Sequence, residues 1–280
     1  MERRIIDVHH HLNPPTDETA DRTAEECSRL GIVKRALLGM PPKCDPKANA
    51  AVLAAARTYP DLFLPFAAPD MDDAAPDDVT RFKDRGYVGL KFIVPSRPYN
   101  DPAYFPLYER ACDLKMPVLF HLGIVANRPG FDKADSNCMR PIHLDHIARS
   151  IPQLTVIGAH LGNPWYEEAT MSCRWNPNLF FDLSGSTLKK KRPAFLAGLL
   201  WWTEDTPYRA PDGSTAWQKI VFGSDVPSGR VAEVIAGYEN LMNTLRLAPA
   251  IRERIWYGTA ARLLGIDPTN GKQARPPAAS

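Results

Sequence analysis

The sequence has few cysteines, and none of them forms a Cys-x-x-Cys pair. The five residues are scattered and odd in number: Cys27, Cys44, Cys112, Cys138 and Cys173. A disulfide framework needs paired cysteines and a thiolate zinc site needs close pairs, so this pattern argues against both. Unpaired thiols fit a reducing compartment, and we expect a cytoplasmic protein.

Long hydrophobic runs are missing as well. No stretch approaches the ~18 apolar residues that a membrane-spanning helix needs. The basic start, Met1 to Arg4, is followed by only two apolar residues before Asp7, which is too few for a signal peptide. Charge of one sign is also lacking, because the formal net charge is +2. We therefore expect neither a membrane segment nor a nucleic-acid-binding surface.

What the sequence does contain is a regular alternation of short apolar runs and longer amphipathic stretches. The predicted strands are 4–8, 34–38, 63–67, 88–93, 117–120, 155–159, 179–183 and 220–223. The predicted helices are 20–30, 47–59, 75–85, 103–114, 142–151, 165–174, 193–202 and 231–245. Such alternation indicates βαβ units and a parallel sheet, and the almost wholly apolar strands indicate that both sheet faces are buried.

Eight such units can close into a barrel, or six or more can form an open doubly wound sheet. A doubly wound nucleotide fold carries a glycine-rich loop after an early strand. Here the first strand instead runs directly into Asp7-Val8-His9-His10-His11. We therefore predict a single-domain α/β protein, a (β/α)8 TIM barrel over residues 1–268, followed by a C-terminal tail at 269–280.

The placement of the histidines is the strongest signal in the sequence. His9 and His11 are two residues apart at the end of the first predicted strand, so their side chains point to the same side. His121, His160 and Asp225 each close another apolar run. Barrel enzymes collect catalytic groups at the carboxyl ends of strands, and imidazole and carboxylate groups are suitable ligands for divalent metals. Structural histidines in the core are a poor alternative explanation, because four histidines and an aspartate all lie at predicted strand ends.

These motifs, in this order, resemble the amidohydrolase superfamily. They are Asp-x-His-x-His at 7–11, Phe-His-x-Gly at 120–123, Ala-His-Leu-Gly at 159–162, Gly-Ser-Asp at 223–225 and Tyr-Gly-Thr-Ala-Ala-Arg-Leu-Leu-Gly at 257–265. The resemblance covers about residues 5 to 266. It is closest to the amidohydrolase-related branch, which includes aminocarboxymuconate semialdehyde decarboxylase-like and γ-resorcylate decarboxylase-like proteins beside many hydrolases.

The resemblance implies a metal site and a set of roles. His9, His11, His121 and Asp225 would hold one divalent metal. His160 would lie beside it, and Asp225 would also relay a proton. Zinc is the default ion for histidine and carboxylate ligands, and manganese is the alternative that decarboxylating relatives suggest.

Lys91 bears on the number of metal ions. Two-metal members of the superfamily carry a carboxylated lysine at a similar place, where it bridges the ions. The alternatives are an ordinary lysine that points out of the barrel or one that pairs with an acid. We expect one metal, with the bridging role of Lys91 as the second hypothesis.

The remaining histidines carry weaker expectations. His10 lies between two candidate ligands on a strand, so it faces the opposite side and is expected to be structural. His143 and His146 are three residues apart on a predicted helix. That spacing permits a ligand pair, but a solvated helix face explains it better. Asp182 either orients a histidine or caps a turn.

Candidate substrate-binding residues follow the predicted strands: Arg97, Arg128, Asn163 and Trp165. Arginine makes strong charge-assisted hydrogen bonds to carboxylates, so Arg128 and Arg97 would suit a carboxylate-bearing substrate. The basic run at 189–192 is expected to be a solvated surface.

Two chemistries remain open at this point. One is hydrolysis of a small molecule at an ester, lactone or amide carbonyl by metal-activated water. The other is non-oxidative, metal-dependent decarboxylation of an aromatic or unsaturated acid. The compact chain favours hydrolysis, because the decarboxylases tend to be longer. A barrel that has lost activity would lack a ligand, and no ligand is missing here.

The expected partner is a small-molecule substrate, and a homo-oligomer is compatible with the sequence. The stretch 195–202 predicts a buried helix. Its aromatic residues Phe195, Trp201 and Trp202 fit either an interface or core packing.

Overall fold

The computed structural model describes residues 3–12, 19–127 and 130–267. Eight parallel strands are hydrogen-bonded in the order of the sequence. They are β1 (Ile5–His10), β2 (Ile32–Leu38), β3 (Phe63–Ala67), β4 (Gly89–Phe92), β5 (Val118–Phe120), β6 (Val156–Gly158), β7 (Leu179–Asp182) and β8 (Ile220–Val221). Every strand lies within two residues of its predicted bounds. The eight predicted strands are therefore confirmed.

Two backbone hydrogen bonds bring the outer edges of the sheet together. The amide of Val8 in β1 donates to the carbonyl of Phe222, just beyond β8, at 3.0 Å. The amide of Asp225 donates to the carbonyl of His9 at 2.7 Å. The sheet thus closes on itself, which confirms the predicted TIM barrel.

Helices alternate with the strands, as predicted. They are α1 (Ala20–Leu30), α2 (Ala48–Thr58), α3 (Pro76–Arg85), α4 (Phe105–Asp113), α5 (Ile142–Ser150), α6 (Tyr166–Trp175), α7 (Ser186–Lys190), α8 (Pro193–Leu199), α9 (Val231–Thr244), α10 (Pro249–Glu253) and α11 (Thr259–Leu263). The short helices α7, α10 and α11 were not predicted, because segments of five residues carry little periodicity. A π-helical turn, Arg254–Gly258, joins α10 to α11.

Local sequence signals explain where several helices begin and end. Thr19 caps α1, since its side chain accepts a hydrogen bond from the amide of Arg22 at 3.2 Å. Gly31 follows α1 in the left-handed region at φ 71°, where a glycine avoids the steric cost of a side chain. Pro76 occupies the first turn of α3, where its missing N–H needs no partner.

The core fills the barrel and the space between strands and helices. All residues of β1, β3, β4, β5, β6, β7 and β8 are buried. The prediction of a buried helix at 195–202 is wrong: the helix ends at Leu199, and Phe195 and Trp201 are exposed. Trp202 is buried in the core, so the aromatic stretch is divided between core and surface.

All five cysteines are free. Within the described ranges, no helix combines the length and the apolar character that crossing a lipid bilayer demands. The predicted tail at 269–280 lies outside the described residues.

Candidate active site

The five residues singled out from the sequence converge at the carboxyl-terminal end of the barrel. His9 is the second-last residue of β1, and His11 directly follows that strand. His121 directly follows β5. His160 and Asp225 lie two and four residues beyond β6 and β8. Parallel strands end at the same edge of a barrel, so residues far apart in sequence meet there.

Four of these five residues, all except His160, line a cavity of about 320 Å³. Its lining residues are His9, His11, Met40, Ile93, His121, Ile124, Val125, Ala126, Phe131, Asp225, Val226 and Pro227. The polar members come from strand ends, and the apolar members come mostly from the loops above. The cavity therefore has a polar floor of histidine and aspartate beneath apolar walls.

Three imidazoles surround the carboxylate of Asp225. Its Oδ1 lies 3.5 Å from Nε2 of His9 and 4.0 Å from Nε2 of His11, and its Oδ2 lies 3.6 Å from Nε2 of His160. Ligand atoms of His9, His160 and Asp225 all lie within 4.8 Å of one another. The ring of His121 lies 5.1 Å from that of His160.

The partners of the other ring nitrogens determine the tautomers of two histidines. Nδ1 of His9 lies 2.8 Å from Oδ2 of Asp182, and Nδ1 of His11 lies 3.1 Å from the carbonyl oxygen of Leu38. A carboxylate and a carbonyl can only accept hydrogen bonds, so both Nδ1 atoms carry the proton. Each Nε2 then turns a lone pair toward Asp225.

A serine determines the tautomer of the third histidine. The hydroxyl of Ser184 lies 2.5 Å from Oδ1 of Asp182 and 2.9 Å from Nδ1 of His160. The single hydroxyl hydrogen goes to the carboxylate, which cannot donate. Ser184 must therefore accept from Nδ1 of His160, and Nε2 of His160 also presents a lone pair to the site.

Asp182 is the common anchor of this arrangement. Besides the contacts to His9 and Ser184, its Oδ1 accepts the backbone amides of His160 at 3.0 Å and of Ser184 at 2.8 Å. Burial alone would raise the pKa of Asp182, but its interactions with His9, His160 and Ser184 outweigh burial and lower it. Asp182 thus orients His9 and also caps the turn after β7 through the amide of Ser184, so it fills both of the roles considered for it.

Two of the site residues have a strained backbone. His160 has φ 61° and Asp225 has φ 44°, and non-glycine residues rarely occupy this left-handed region. Such residues cost roughly 1–3 kcal/mol each and cluster at functional sites. The strain is offset by the amide hydrogen bonds from His160 to Asp182 and from Asp225 to His9.

Burial and charge determine the protonation of the site. Burial lowers the pKa of His11 to about 3 and lowers the pKa values of His121 and His160. Burial would raise the pKa of Asp225, but interactions with the neighbouring imidazoles more than offset this and lower it. Near neutral pH His11, His121 and His160 are therefore neutral beside the ionised carboxylate of Asp225, and metal binding requires neutral imidazoles and an ionised carboxylate.

Two buried polar atoms at the site have no hydrogen-bond partner in the part of the chain that the structure describes. They are Nε2 of His121 and Nζ of Lys91, and Lys91 is fully buried in β4. Burial lowers the pKa of Lys91 to about 8. A buried polar atom without a partner is costly. An unpaired imidazole nitrogen beside three further Nε2 lone pairs and a carboxylate fits a divalent cation, so the residues present match a metal site.

The structure describes three of the four predicted substrate-binding residues. Arg97 is exposed and lies 3.7 Å from Asp101 in an ion pair. Asn163 accepts a hydrogen bond from the hydroxyl of Tyr166 at 2.7 Å. Arg97, Asn163 and Trp165 do not line the cavity described above. Arg128 lies outside the described residues, so its role stays a prediction.

The three remaining histidines lie away from the cavity. His10 is buried, with Nδ1 3.2 Å from the hydroxyl of Ser224, as expected for a structural residue. His143 binds the carbonyl of Asn137 at 2.8 Å, and His146 is exposed on α5. These two residues do not form a metal site with each other.

The roles of Ser184 and Gly223 were not predicted from the sequence. The Asp-x-Ser spacing after β7 could have indicated Ser184, since it repeats the His-x-His spacing that was noticed after β1. Gly223 allows close packing below the site: a Cβ there would lie 2.9 Å from Cβ of His9 and 3.0 Å from Cβ of Asp182.

Comparison with known proteins agrees with this geometry. The sequence model of the amidohydrolase family matches residues 6–266. A comparison with curated proteins found no similar sequence.

Solved structures share the fold at low sequence identity. An uncharacterised TIM-barrel protein from Bordetella bronchiseptica is 21% identical with a TM-score of 0.71, over 94% of this chain and 98% of that one. A probable 2-pyrone-4,6-dicarboxylic acid hydrolase from Acinetobacter baumannii, with citric acid bound, is 15% identical with a TM-score of 0.64, over 94% and 100%. A manganese-bound 5-carboxyvanillate decarboxylase from Novosphingobium aromaticivorans is 12% identical with a TM-score of 0.60, over 94% and 97%.

Proposed function

The chain belongs to the amidohydrolase family, and on that premise we propose that it is a metal-dependent hydrolase of small molecules that contain an ester, lactone or amide bond. The observation that carries the proposal is the set of Nε2 lone pairs that face the ionised carboxylate of Asp225 at the floor of the cavity. This arrangement can hold a cation and also accept a proton.

We assign the metal to His9, His11, His121 and Asp225, with His160 beside it. The unpaired Nε2 of His121 supports its inclusion. Zinc is the ion that this donor set favours, and manganese is the alternative. When bound, a divalent ion lowers the pKa of water and polarises a carbonyl group.

The protein's own residues supply the proton transfers. The carboxylate of Asp225 takes the proton that the attacking water loses. His160 can receive this proton at Nε2, because that nitrogen lies 3.6 Å from Oδ2 of Asp225. The imidazolium that forms is stabilised by Asp182 through Ser184, and it delivers the proton to the leaving group.

The walls of the cavity favour a substrate with an apolar body. Ile93, Val125 and Phe131 face the cavity, and among its described lining residues there is no arginine or lysine. A carboxylate on the substrate would therefore need Arg128, which lies three residues before Phe131 in the sequence. We propose Arg128 as that partner.

Decarboxylation of an aromatic acid is the second candidate. Phe131 lines the cavity and offers a ring surface for stacking, and Arg128 nearby in sequence would suit the carboxylate. The compact chain of 280 residues, shorter than the decarboxylases tend to be, is the reason to prefer hydrolysis.

The test is a direct comparison of both activities. Zinc-loaded and manganese-loaded enzyme would be assayed against aryl esters, lactones and amides with and without a carboxylate. Carbon dioxide release from hydroxybenzoates would be measured in parallel. We expect hydrolysis that is lost in Asp225→Asn and retained in His146→Gln, which alters an exposed histidine.

Carbon dioxide release without hydrolysis would establish the second candidate instead. Arg128→Ala should raise KM for carboxylate-bearing substrates at least tenfold and leave neutral analogues unchanged. Equal effects on both substrate types would contradict the role of Arg128.

A further inference from the structure

Large hydrophobic side chains are concentrated on one part of the outer surface. Of the seven that are exposed in the described part of the chain, five lie on α6, on α8 or in the loop after α8. They are Met171 (38% exposed), Trp175 (47%), Phe195 (41%), Trp201 (37%) and Tyr208 (52%). We call these five residues the α6 surface. Exposed apolar patches of this kind mark interaction sites.

The α6 surface has aromatic contacts at both ends of α6. The guanidinium group of Arg174 lies over the rings of Trp175, Trp201 and Tyr208 at 4.6, 4.9 and 5.8 Å. At the other end of α6, the ring of Phe195 packs on that of Tyr166 at 5.4 Å. The surface therefore has members at both ends of the helix, with the exposed Met171 between them.

The solvent-facing stripe of α6 has a distinctive order. Glu167, Met171, Arg174 and Trp175 lie outward, at helical spacings of four, three and one residues. The stripe thus has an acid near its start, a methionine in its middle and a cation with an aromatic ring at its end.

The two charged residues of this stripe have no ion-pair partner among the residues that the structure describes. Glu168, by contrast, pairs with Arg140. Arg174 contacts aromatic rings, and its Nε is buried without a hydrogen-bond acceptor. Glu167 is exposed on the first turn of α6.

We propose that the α6 surface is the interface of a two-fold symmetric homodimer, in which the α6 helices of two copies pack antiparallel with Met171 at the axis. A rise of 1.5 Å per residue places Glu167 about 6 Å and Arg174 about 4.5 Å from Met171, in opposite directions. Antiparallel pairing therefore sets Glu167 of each copy against Arg174 of the other. Both residues lie on the same side of the stripe, at about −40° and −60° from Met171, so the two charges meet.

A two-fold interface must be self-complementary, because both copies use the same surface: if residue i of one copy contacts residue j of the other, then j also contacts i. The aromatic residues satisfy the same condition. Phe195 lies near the start of α6 and Trp201 near its end, so the symmetry brings Phe195 of one copy toward Trp201 of the other.

The exposed apolar area supplies part of what a standard interface buries. Aromatic side chains can bury about 150–250 Å² each. At roughly half exposure, the residues of the α6 surface supply a few hundred Å² of the about 800 Å² per partner of a standard interface. The proposal is independent of the catalytic activity proposed above.

Light scattering after size-exclusion chromatography, with sedimentation velocity between 1 and 100 µM, tests the dimer. We expect the full-length protein to have twice the mass of one chain. Met171→Glu brings two like charges together at the axis and should yield monomers. Glu167→Arg and Arg174→Glu should each weaken association at least tenfold, and the double variant should restore it.

Glu25→Arg, which reverses an exposed charge on α1, is the matched control and should remain dimeric. Circular dichroism melting identifies any variant that is monomeric only because it is unfolded. Restored association in the double variant cannot be explained by unfolding. A wild-type protein that is monomeric from 1 to 100 µM overturns the proposal. A monomer that also sediments with anionic phosphatidylserine vesicles overturns it too, and assigns the surface to membrane binding. A dimer that survives Met171→Glu and both single charge reversals overturns it as well.

Discussion

Nδ1 of His160 lies 2.9 Å from the hydroxyl oxygen of Ser184, and this contact determines which nitrogen of the imidazole faces Asp225. The hydroxyl hydrogen of Ser184 is used by Asp182, 2.5 Å away. The protein thus presents Nε2 of His160 to Asp225 in the form that accepts a proton.

Ser184→Ala should therefore lower kcat more than it affects folding. Without the hydroxyl, either nitrogen of His160 can carry the proton. Only the tautomer with the proton on Nδ1 presents a lone pair to Asp225, so part of the protein has the unproductive tautomer. Losses for such outer partners are typically about 10–100-fold. Steady-state kinetics would show the fall in kcat with little change in KM. Ser184→Thr keeps the hydroxyl and should recover activity, and Ser186→Ala on α7 is the neutral control. An unchanged kcat in Ser184→Ala would contradict this role.

Removal of the metal should lower both activity and stability. Chelation leaves the lone pairs of the site without a cation, and a ligand that binds only the folded state at 100 times its Kd stabilises by about 2.7 kcal/mol. Elemental analysis should find about one zinc or manganese per chain, lost in His121→Ala and retained in His146→Ala. Differential scanning calorimetry should show a lower Tm for the chelated protein. Two ions per chain would instead favour the bridging role of Lys91.

Gly223→Ala should destabilise the protein by about 1–3 kcal/mol, because the added methyl group overlaps with its neighbours. The new Cβ would lie 2.9 Å from Cβ of His9 and 3.0 Å from Cβ of Asp182. Displacement of His9 should also reduce kcat. Gly198→Ala on α8 is the matched control: a Cβ there has nothing within 4 Å, and we expect a gain of about 0.5–1 kcal/mol. Urea denaturation measures both, and equal stability of the two variants would argue against the packing constraint.

The carboxylate of Asp72 should make stability depend on pH in the acid range. It accepts hydrogen bonds from the hydroxyls of Ser96, at 2.7 Å, and Tyr104, and it lies 2.9 Å from Nζ of Lys43. Burial alone would raise the pKa of Asp72, but these contacts outweigh burial and lower it to about 2.

A lowered pKa in the folded state means that the stabilisation is present above the unfolded pKa of about 3.9 and is lost as the pH falls toward 2. Asp72→Asn should cost about 1–2 kcal/mol at pH 6 and little at pH 2. Denaturation across this range gives the difference. Asp73→Asn, which removes the neighbouring carboxylate of the same loop, is the matched control, and a cost of Asp72→Asn that is constant with pH would refute the assignment.

The sequence alone determined the barrel and the five residues of the floor. Strands buried on both faces are continuous apolar runs, and their ends are marked by polar residues, so both the strand count and the candidate residues can be read from local pattern. His9 and His11 could be paired because a strand repeats every two residues. These signals are local, and the closing of the sheet then brings the strand ends together.

Only the tertiary structure decided how the site is oriented. The hydrogen bonds that give His9, His11 and His160 their tautomers come from Asp182, Leu38 and Ser184, which lie 173, 27 and 24 residues away in the sequence. A local pattern can mark a polar residue at a strand end, as the Asp-x-Ser spacing marks Ser184, but it does not show which distant histidine that residue contacts. The division of residues 195–202 between core and surface also depends on contacts between distant parts of the chain. Whether an apolar side chain is covered depends on which helix packs against it, and that is a property of the folded barrel.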